Sequence, residues 1–213
     1  MKLLFESFKS FINEQEQRLP QIYCDMDGVL VDFEQGVVDQ INKDLQEISK
    51  LQDTDSLVKI RTALNTVGRE RVIINDLKGR GATSKPVRDY MYRRVGDDAT
   101  FWANLPWMPN GRELWAFIAP YKPHILTSPM QKGSEYGKAM WVYENLELSK
   151  EQKVHMSHEK YKFATEEDGR LNVLIDDWDK NIIPWAKARG IAIQHVDKEI
   201  GATISKLKKL GFS

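Results

Sequence analysis

Ile22-Tyr23-Cys24-Asp25-Met26-Asp27-Gly28-Val29-Leu30-Val31-Asp32-Phe33 joins an apolar run to an acidic turn. Ile22-Tyr23-Cys24 is a short apolar run, bounded by Pro20 on one side and by Asp25-Met26-Asp27-Gly28 on the other. That pattern predicts a buried strand running into a turn. Two later runs end in the same way. Pro123-His124-Ile125-Leu126 leads into Thr127-Ser128-Pro129, and Val173-Leu174-Ile175 leads into Asp176-Asp177. Val154-His155-Met156 and residues 191–196 supply two more short strands. Helical patterns separate them at about 112–119, 134–146 and 182–188, and a final helix runs to about Leu210. Gly190 provides a C-terminal stop. Apolar strands alternating with helices predict an α/β fold with a parallel sheet covered on both faces. In such sheets ligands bind at the carboxyl ends of the strands, which is where all three polar clusters fall.

Working outward, residues 34–99 read as a helical insertion. Val37, Val38, Ile41, Leu45 and Ile48 repeat at helical spacing, as do Leu57, Ile60 and Leu64. Gly79-Arg80-Gly81 and Pro86 break the pattern, and a short helix follows from Val87 to Val95. The expected organisation is an N-terminal helix at 1–18, a core domain formed by 19–33 and 100–213, and the insertion at 34–99. In the N-terminal segment Leu4, Phe5, Phe8, Phe11 and Ile12 form an apolar stripe. It reads as an amphipathic docking helix that covers part of the core.

Composition narrows the class. The chain has 213 residues, 41% of them hydrophobic and 29% charged, which excludes disorder over most of its length. Lys plus Arg and Asp plus Glu number 31 each. The basic excess of a non-specific nucleic-acid binder is missing, so no stable nucleic-acid partner is expected. One cysteine, Cys24, cannot form an internal disulfide, and the expected compartment is the reducing cytoplasm. No run approaches the ~20 apolar residues of a membrane span, and the N-terminus lacks the pattern of a secretory signal. No glycine-rich phosphate loop of the Walker or dinucleotide type is present.

The strand-end residues point to phosphoryl chemistry. Asp25 and Asp27, two residues apart at a strand end, point to the same side. Alone they repel. Mg²⁺, which takes oxygen ligands from a few carboxylates, removes that conflict, and Asp176 and Asp177 supply further carboxylate. The cation would also neutralise charge on a transferring phosphoryl group. A carboxylate beside it can attack phosphorus and form an aspartyl-phosphate. A second carboxylate can protonate the leaving oxygen and then deprotonate the attacking water. Thr127 offers a hydroxyl and a backbone N–H to a phosphate oxygen, and a nearby lysine would balance the remaining charge. Each element has an ordinary reading. Asp-Gly is a turn signal, Asp-Asp after a strand is a helix cap, and Thr-Ser-Pro is a turn. Their joint placement on three strand ends carries the functional reading. His155 and His158 could meet on a helix, but the sequence offers no obvious third zinc ligand, and they and His195 read as structural or peripheral.

Those residues resemble a known superfamily. Asp25 to Phe33 looks like the first motif of the haloacid-dehalogenase-like phosphatases, Ile125-Leu126-Thr127-Ser128-Pro129 like the second, and Val173-Leu174-Ile175-Asp176-Asp177 like the fourth. The Thr-Ser-Pro and Ile-Asp-Asp forms, with Phe101-Trp102-Ala103-Asn104-Leu105 before Pro109, resemble the 5'(3')-deoxyribonucleotidases. The likeness spans residues 21–196. It implies a Rossmannoid core with a helical cap after the first strand, Mg²⁺ as cofactor, and a small-molecule phosphomonoester, a nucleoside monophosphate, as substrate. Sugar phosphates, other small metabolites and nucleic-acid ends are the alternative substrates, and a non-catalytic binding protein is the alternative class. A dimer is compatible with such caps.

By the same resemblance, Asp25 is the nucleophile and Asp27 the general acid/base, with its backbone carbonyl on the metal. Asp177 and Asp176 are further metal ligands, and Thr127 and Ser128 hold phosphate. Lys160 is the favoured phosphate lysine, although His158 stands where the family has arginine. Lys138 matches a second family lysine. Phe33, Phe101 and Trp102 match pocket aromatics, but the aromatic cluster inside the family's cap has no counterpart around residues 79–86. Separately, Met1-Lys2, Phe5, Phe8 and Ile12-Asn13-Glu14 resemble the leaders on head proteins of large tailed phages. That likeness implies a phage origin, and with it the host cytoplasm or the virion.

Overall fold

A computed structural model describes residues 19–51, 54–79 and 81–213. The expected helix at 1–18 lies outside them. Five parallel strands form one sheet: β1 (Ile22–Cys24), β2 (His124–Thr127), β3 (Val154–Met156), β4 (Val173–Asp176) and β5 (Ile191–Gln194). Their order is β3-β2-β1-β4-β5. From β1 the chain builds outward on one side through β2 and β3, then returns to the other side for β4 and β5. The order therefore reverses at β1, and the crevice outside the carboxyl ends of β1, β2 and β4 is the switch point where such sheets bind ligands.

The short strands are apolar because both faces are covered. On one face Ile22, Cys24, Ile125, Val173, Ile175 and Ile193 pack with Leu114, Ile118, Trp141, Val142 and Leu207. These partners come from α6 (Gly111–Ile118), α7 (Lys132–Asn145) and α9 (Ile200–Lys209). On the other face Tyr23, Leu126 and Leu174 pack with Ala164 and with Trp185 of α8 (Asp179–Lys187).

Between β1 and α6 the chain forms α1 (Phe33–Gln46), α2 (Thr54–Thr66), α3 (Ile74–Lys78), α4 (Ser84–Val95) and α5 (Ala99–Ala103). Asp32 caps α1, its carboxylate accepting from the Gln35 N–H at 3.0 Å. Val37, Val38, Ile41 and Leu45 of α1 share a second apolar cluster with Leu57, Ile60, Leu64, Val87, Tyr90 and Val95. The helices at 33–95 thus have a core of their own. Buried polar groups tie it together: Asn42 exchanges two hydrogen bonds with the Val72 backbone, at 2.8 and 3.0 Å. Asp76 takes both guanidinium branches of Arg69, at 2.7 and 2.9 Å.

Three details depart from the sequence reading. Pro86 does not break a helix; it is the third residue of α4, in the first turn, where a missing N–H costs no helical bond. The helices α3 and α5 have five residues each, too few to show a period. β5 ends at Gln194, two residues before the expected end.

Candidate active site

The register of the sheet assembles the carboxylates. Cys24 pairs with Ile175 on β4 and with Ile125 on β2, so Asp25 emerges beside Asp176 on one flank and Leu126 on the other, with Thr127 one residue further along β2. The Asp25 N–H donates to the Ile175 carbonyl at 2.9 Å, extending the β1–β4 ladder by one bond. The chain then folds tightly over itself. The Met26 carbonyl accepts from the Leu30 and Val31 N–H groups, at 2.8 and 2.9 Å, and the Gly28 N–H donates to Val31. Gly28 has φ +75°, and a Cβ there would lie 2.4 Å from Asp177 Oδ2. A residue without a side chain is required twice over, by the left-handed backbone and by the neighbouring carboxylate.

Asp25, Asp176 and Asp177 converge, with one oxygen from each lying within 4.8 Å of the others. Asp25 is 5% exposed and Asp176 fully buried, whereas Asp177 is exposed as a residue but turns its carboxylate in toward the other two. Lys160, in the short turn Lys160–Phe163 after β3, reaches in to pair with Asp25 Oδ1 and Asp176 Oδ2, both at 2.7 Å. It is 2% exposed. Burial alone would lower its ammonium pKa, but the facing carboxylates of Asp25 and Asp176 outweigh that and raise it. Asp176 is further held by the Trp178 N–H at 2.9 Å and by the Asn181 amide at 3.0 and 3.1 Å.

Asp177 has no such support. Burial, then Asp25 and Asp176, push its pKa up to about 7, while burial and Asp25 push Asp176 up to about 6. Three carboxylates thus face a single ammonium. Oxygen-only donors, convergence from two strands and a surplus of negative charge suit a hard divalent cation.

Asp27 lies apart from that cluster. Its Oδ2 accepts from Lys138 Nζ at 2.6 Å, and its Oδ1 is buried with no hydrogen bond among the described residues. Burial raises the pKa of Asp27, and Lys138 opposes the rise. Lys138, on α7 and fully buried, also donates to Thr127 Oγ1 at 3.0 Å and to the Ser128 carbonyl at 2.7 Å. Ser128 turns its hydroxyl to the Ser157 carbonyl at 3.0 Å. Both lysines singled out in the sequence therefore reach the strand ends, on different carboxylates. The burial of Lys138 depends on α5 lying tightly against α7. A Cβ on Gly137 would sit 2.4 Å from the Ala99 carbonyl oxygen and from Trp102 Cβ.

Phe33 and Trp102 stack at 4.9 Å and 9°, with Phe101 edge-on to both. Phe33 and Phe101 are partly exposed; Trp102 is 1% exposed and lies behind Lys138. Reading the sequence missed Asn181 and the packing roles of Gly28 and Gly137. An amide one turn into the helix after Asp-Asp was the available signal for Asn181. His155 sits at the opposite end of the sheet, where a cavity of about 290 Å³ is lined by Tyr23, His124, His155 and Phe163. His195 is buried against Thr203, its Nδ1 3.0 Å from Thr203 Oγ1.

The fold is a Rossmannoid parallel sheet of the haloacid-dehalogenase-like type, with a helical insertion after its first strand. A hydrolase from Streptococcus pneumoniae superposes with a TM-score of 0.51 at 10% identity, covering 89% of this chain and 100% of that one. An L-2-haloacid dehalogenase from Xanthobacter autotrophicus aligns over 83% of this chain and 77% of its own, at 14% identity and a TM-score of 0.47. A phosphonoacetaldehyde hydrolase-like protein from Oleispira antarctica aligns over 91% and 86%, at 8% identity and a TM-score of 0.39. Identities this low speak to fold alone. The sequence matches no family model and no curated relative. Among the described residues no helix is long and apolar enough to cross a membrane.

Proposed function

We propose that this protein is a divalent-cation-dependent phosphomonoesterase that works through an aspartyl-phosphate on Asp25. Nucleoside monophosphates are the proposed substrate class. The observation that carries the reading is the division of labour among the carboxylates. Asp25, Asp176 and Asp177 converge around one ammonium, while Asp27 stands apart on a second. A nucleophile beside a cation site and a separate proton carrier are what two-step phosphoryl transfer requires.

Asp25, Asp176 and Asp177 would hold Mg²⁺, with the Asp27 carbonyl; when bound, the ion supplies charge neutralisation for the transferring phosphoryl group. Lys160, 2.7 Å from Asp25 Oδ1, holds that carboxylate in place. The Asp25 oxygen attacks phosphorus, the phosphorus–ester oxygen bond breaks, and the leaving oxygen takes a proton from Asp27. Asp27 then accepts a proton from water as that water attacks the aspartyl-phosphate. Phosphate leaves and Asp25 is regenerated. Thr127 Oγ1 accepts from Lys138, which leaves its own hydroxyl proton for a phosphate oxygen. The helices at 33–95 act as a cap that excludes water from the site, and the partly exposed rings of Phe33 and Phe101 offer a face to a nucleobase.

Gly28→Ala tests the cation site. The added methyl must displace Asp177 and adopt a left-handed backbone, at a cost of about 1–2 kcal/mol. A site filled at 100 times its dissociation constant stabilises the fold by about 2.7 kcal/mol. Mg²⁺ should therefore raise the melting temperature of the wild type by several degrees, and that rise should vanish in Gly28→Ala.

The substrate is tested by phosphate release from ribo- and deoxyribonucleoside 5'- and 3'-monophosphates, sugar phosphates and an end-phosphorylated oligonucleotide, with Mg²⁺ and with EDTA. Mg²⁺-dependent release from a nucleotide is the expected result. Release from a sugar phosphate or the oligonucleotide alone would keep the chemistry and replace the substrate class. No release from any ester would remove the phosphatase reading.

A further inference from the structure

The two lysines of the site are not equivalent. Lys138 has three N–H donors, and all three are used, on Asp27 Oδ2, Thr127 Oγ1 and the Ser128 carbonyl. Its Nζ also lies over the ring of Trp102, 4.8 Å from the centroid. That ring is itself fixed. Its Nε1 donates to the Val95 carbonyl at 2.7 Å, and its face stacks on Phe33. Val95 is the last residue of α4 and Phe33 the first of α1, so Trp102 is gripped by both ends of the 33–95 helices. A contiguous chain runs from the base of that insertion, through Trp102 and Lys138, to Asp27. Oδ2 is held by Lys138, while Oδ1 is buried and has no hydrogen bond among the described residues.

We infer that Lys138 and Trp102 are positioning residues for the proton carried by Asp27. Lys138 fixes which oxygen of Asp27 faces the leaving group, and the aromatic face of Trp102 keeps the ammonium in place. This inference rests on the aspartyl-phosphate reading and adds a role to it. In a transition state where the ester oxygen departs, an alkoxide needs the proton and a nitrophenolate needs it far less. A fault in positioning therefore shows as a change in leaving-group preference. A general loss of structure lowers both reactions alike.

The experiment compares kcat for an alkyl phosphate, the best nucleotide of the panel, with kcat for p-nitrophenyl phosphate. Asp27→Asn sets the scale of a lost proton donor, about 10²–10⁴-fold in the alkyl-to-aryl ratio. The expected fall in that ratio is about 100-fold in Lys138→Met and about tenfold in Trp102→Leu. Trp102→Phe, which keeps an aromatic face, should stay within about threefold of wild type. A folded Lys138→Met that slows both substrates equally would overturn the inference while leaving the phosphatase reading intact. That variant decides the matter even if the buried Trp102→Leu does not fold. Wild-type protein that hydrolyses neither ester would overturn both.

Discussion

Asp25→Asn should cut turnover by at least about 10⁴-fold, the scale on which enzymes lose rate when a covalent nucleophile is removed. The amide keeps the size of the carboxylate and retains one oxygen, so the β1–β4 ladder at the Asp25 N–H has no reason to change. It cannot attack phosphorus, because its nitrogen lone pair is delocalised and its oxygen carries no charge. The loss should therefore appear in kcat with the protein still folded, as judged by a single cooperative unfolding transition. A variant that keeps more than a tenth of wild-type turnover would contradict the covalent route.

Lys160→Met should have the largest effect on stability. The ammonium is buried between Asp25 and Asp176, at 2.7 Å from each. Methionine fills the space of the stem and leaves two buried carboxylates without a counter-charge. Deleting one partner of a buried ion pair costs about 3–5 kcal/mol. Urea unfolding in EDTA should show a loss of that size. Added Mg²⁺ should recover a larger share of stability in the variant than it adds to the wild type, because the excess negative charge it meets is greater. A loss below about 1 kcal/mol would mean that Lys160 is not the group that offsets these carboxylates.

The strands and their polar ends were legible because burial leaves a plain signature. Ile22-Tyr23-Cys24, Ile125-Leu126 and Val173-Leu174-Ile175 are apolar on both faces, and each stops within one residue of its strand's end. Asp25, Thr127 and Asp176 could be placed at one edge before any pairing was known. The division between the lysines was not legible. Lys138 lies on a helix whose neighbours Ala139 and Met140 are exposed, and only the close approach of α5 over Gly137 buries it. Lys160 reaches Asp25 from a turn beyond β3, a distance along the chain that no local pattern encodes. Trp102 matched a pocket aromatic by position, yet it supports an ammonium from behind. The choice between lining a pocket and backing a charge is made by tertiary packing. Pro86 misled because its effect depends on its place in a helix: harmful in the interior, harmless in the first turn.

The proposed route requires that Asp25 become phosphorylated. The most direct measurement is mass spectrometry of peptides from enzyme mixed with substrate and quenched in acid during turnover. A phosphoryl adduct is expected on the peptide carrying Asp25, absent in Asp25→Asn. It should accumulate further when p-nitrophenyl phosphate is given to Asp27→Asn, where the second step lacks its base. Sustained phosphate release with no adduct on Asp25, or an adduct on another residue, would contradict the account.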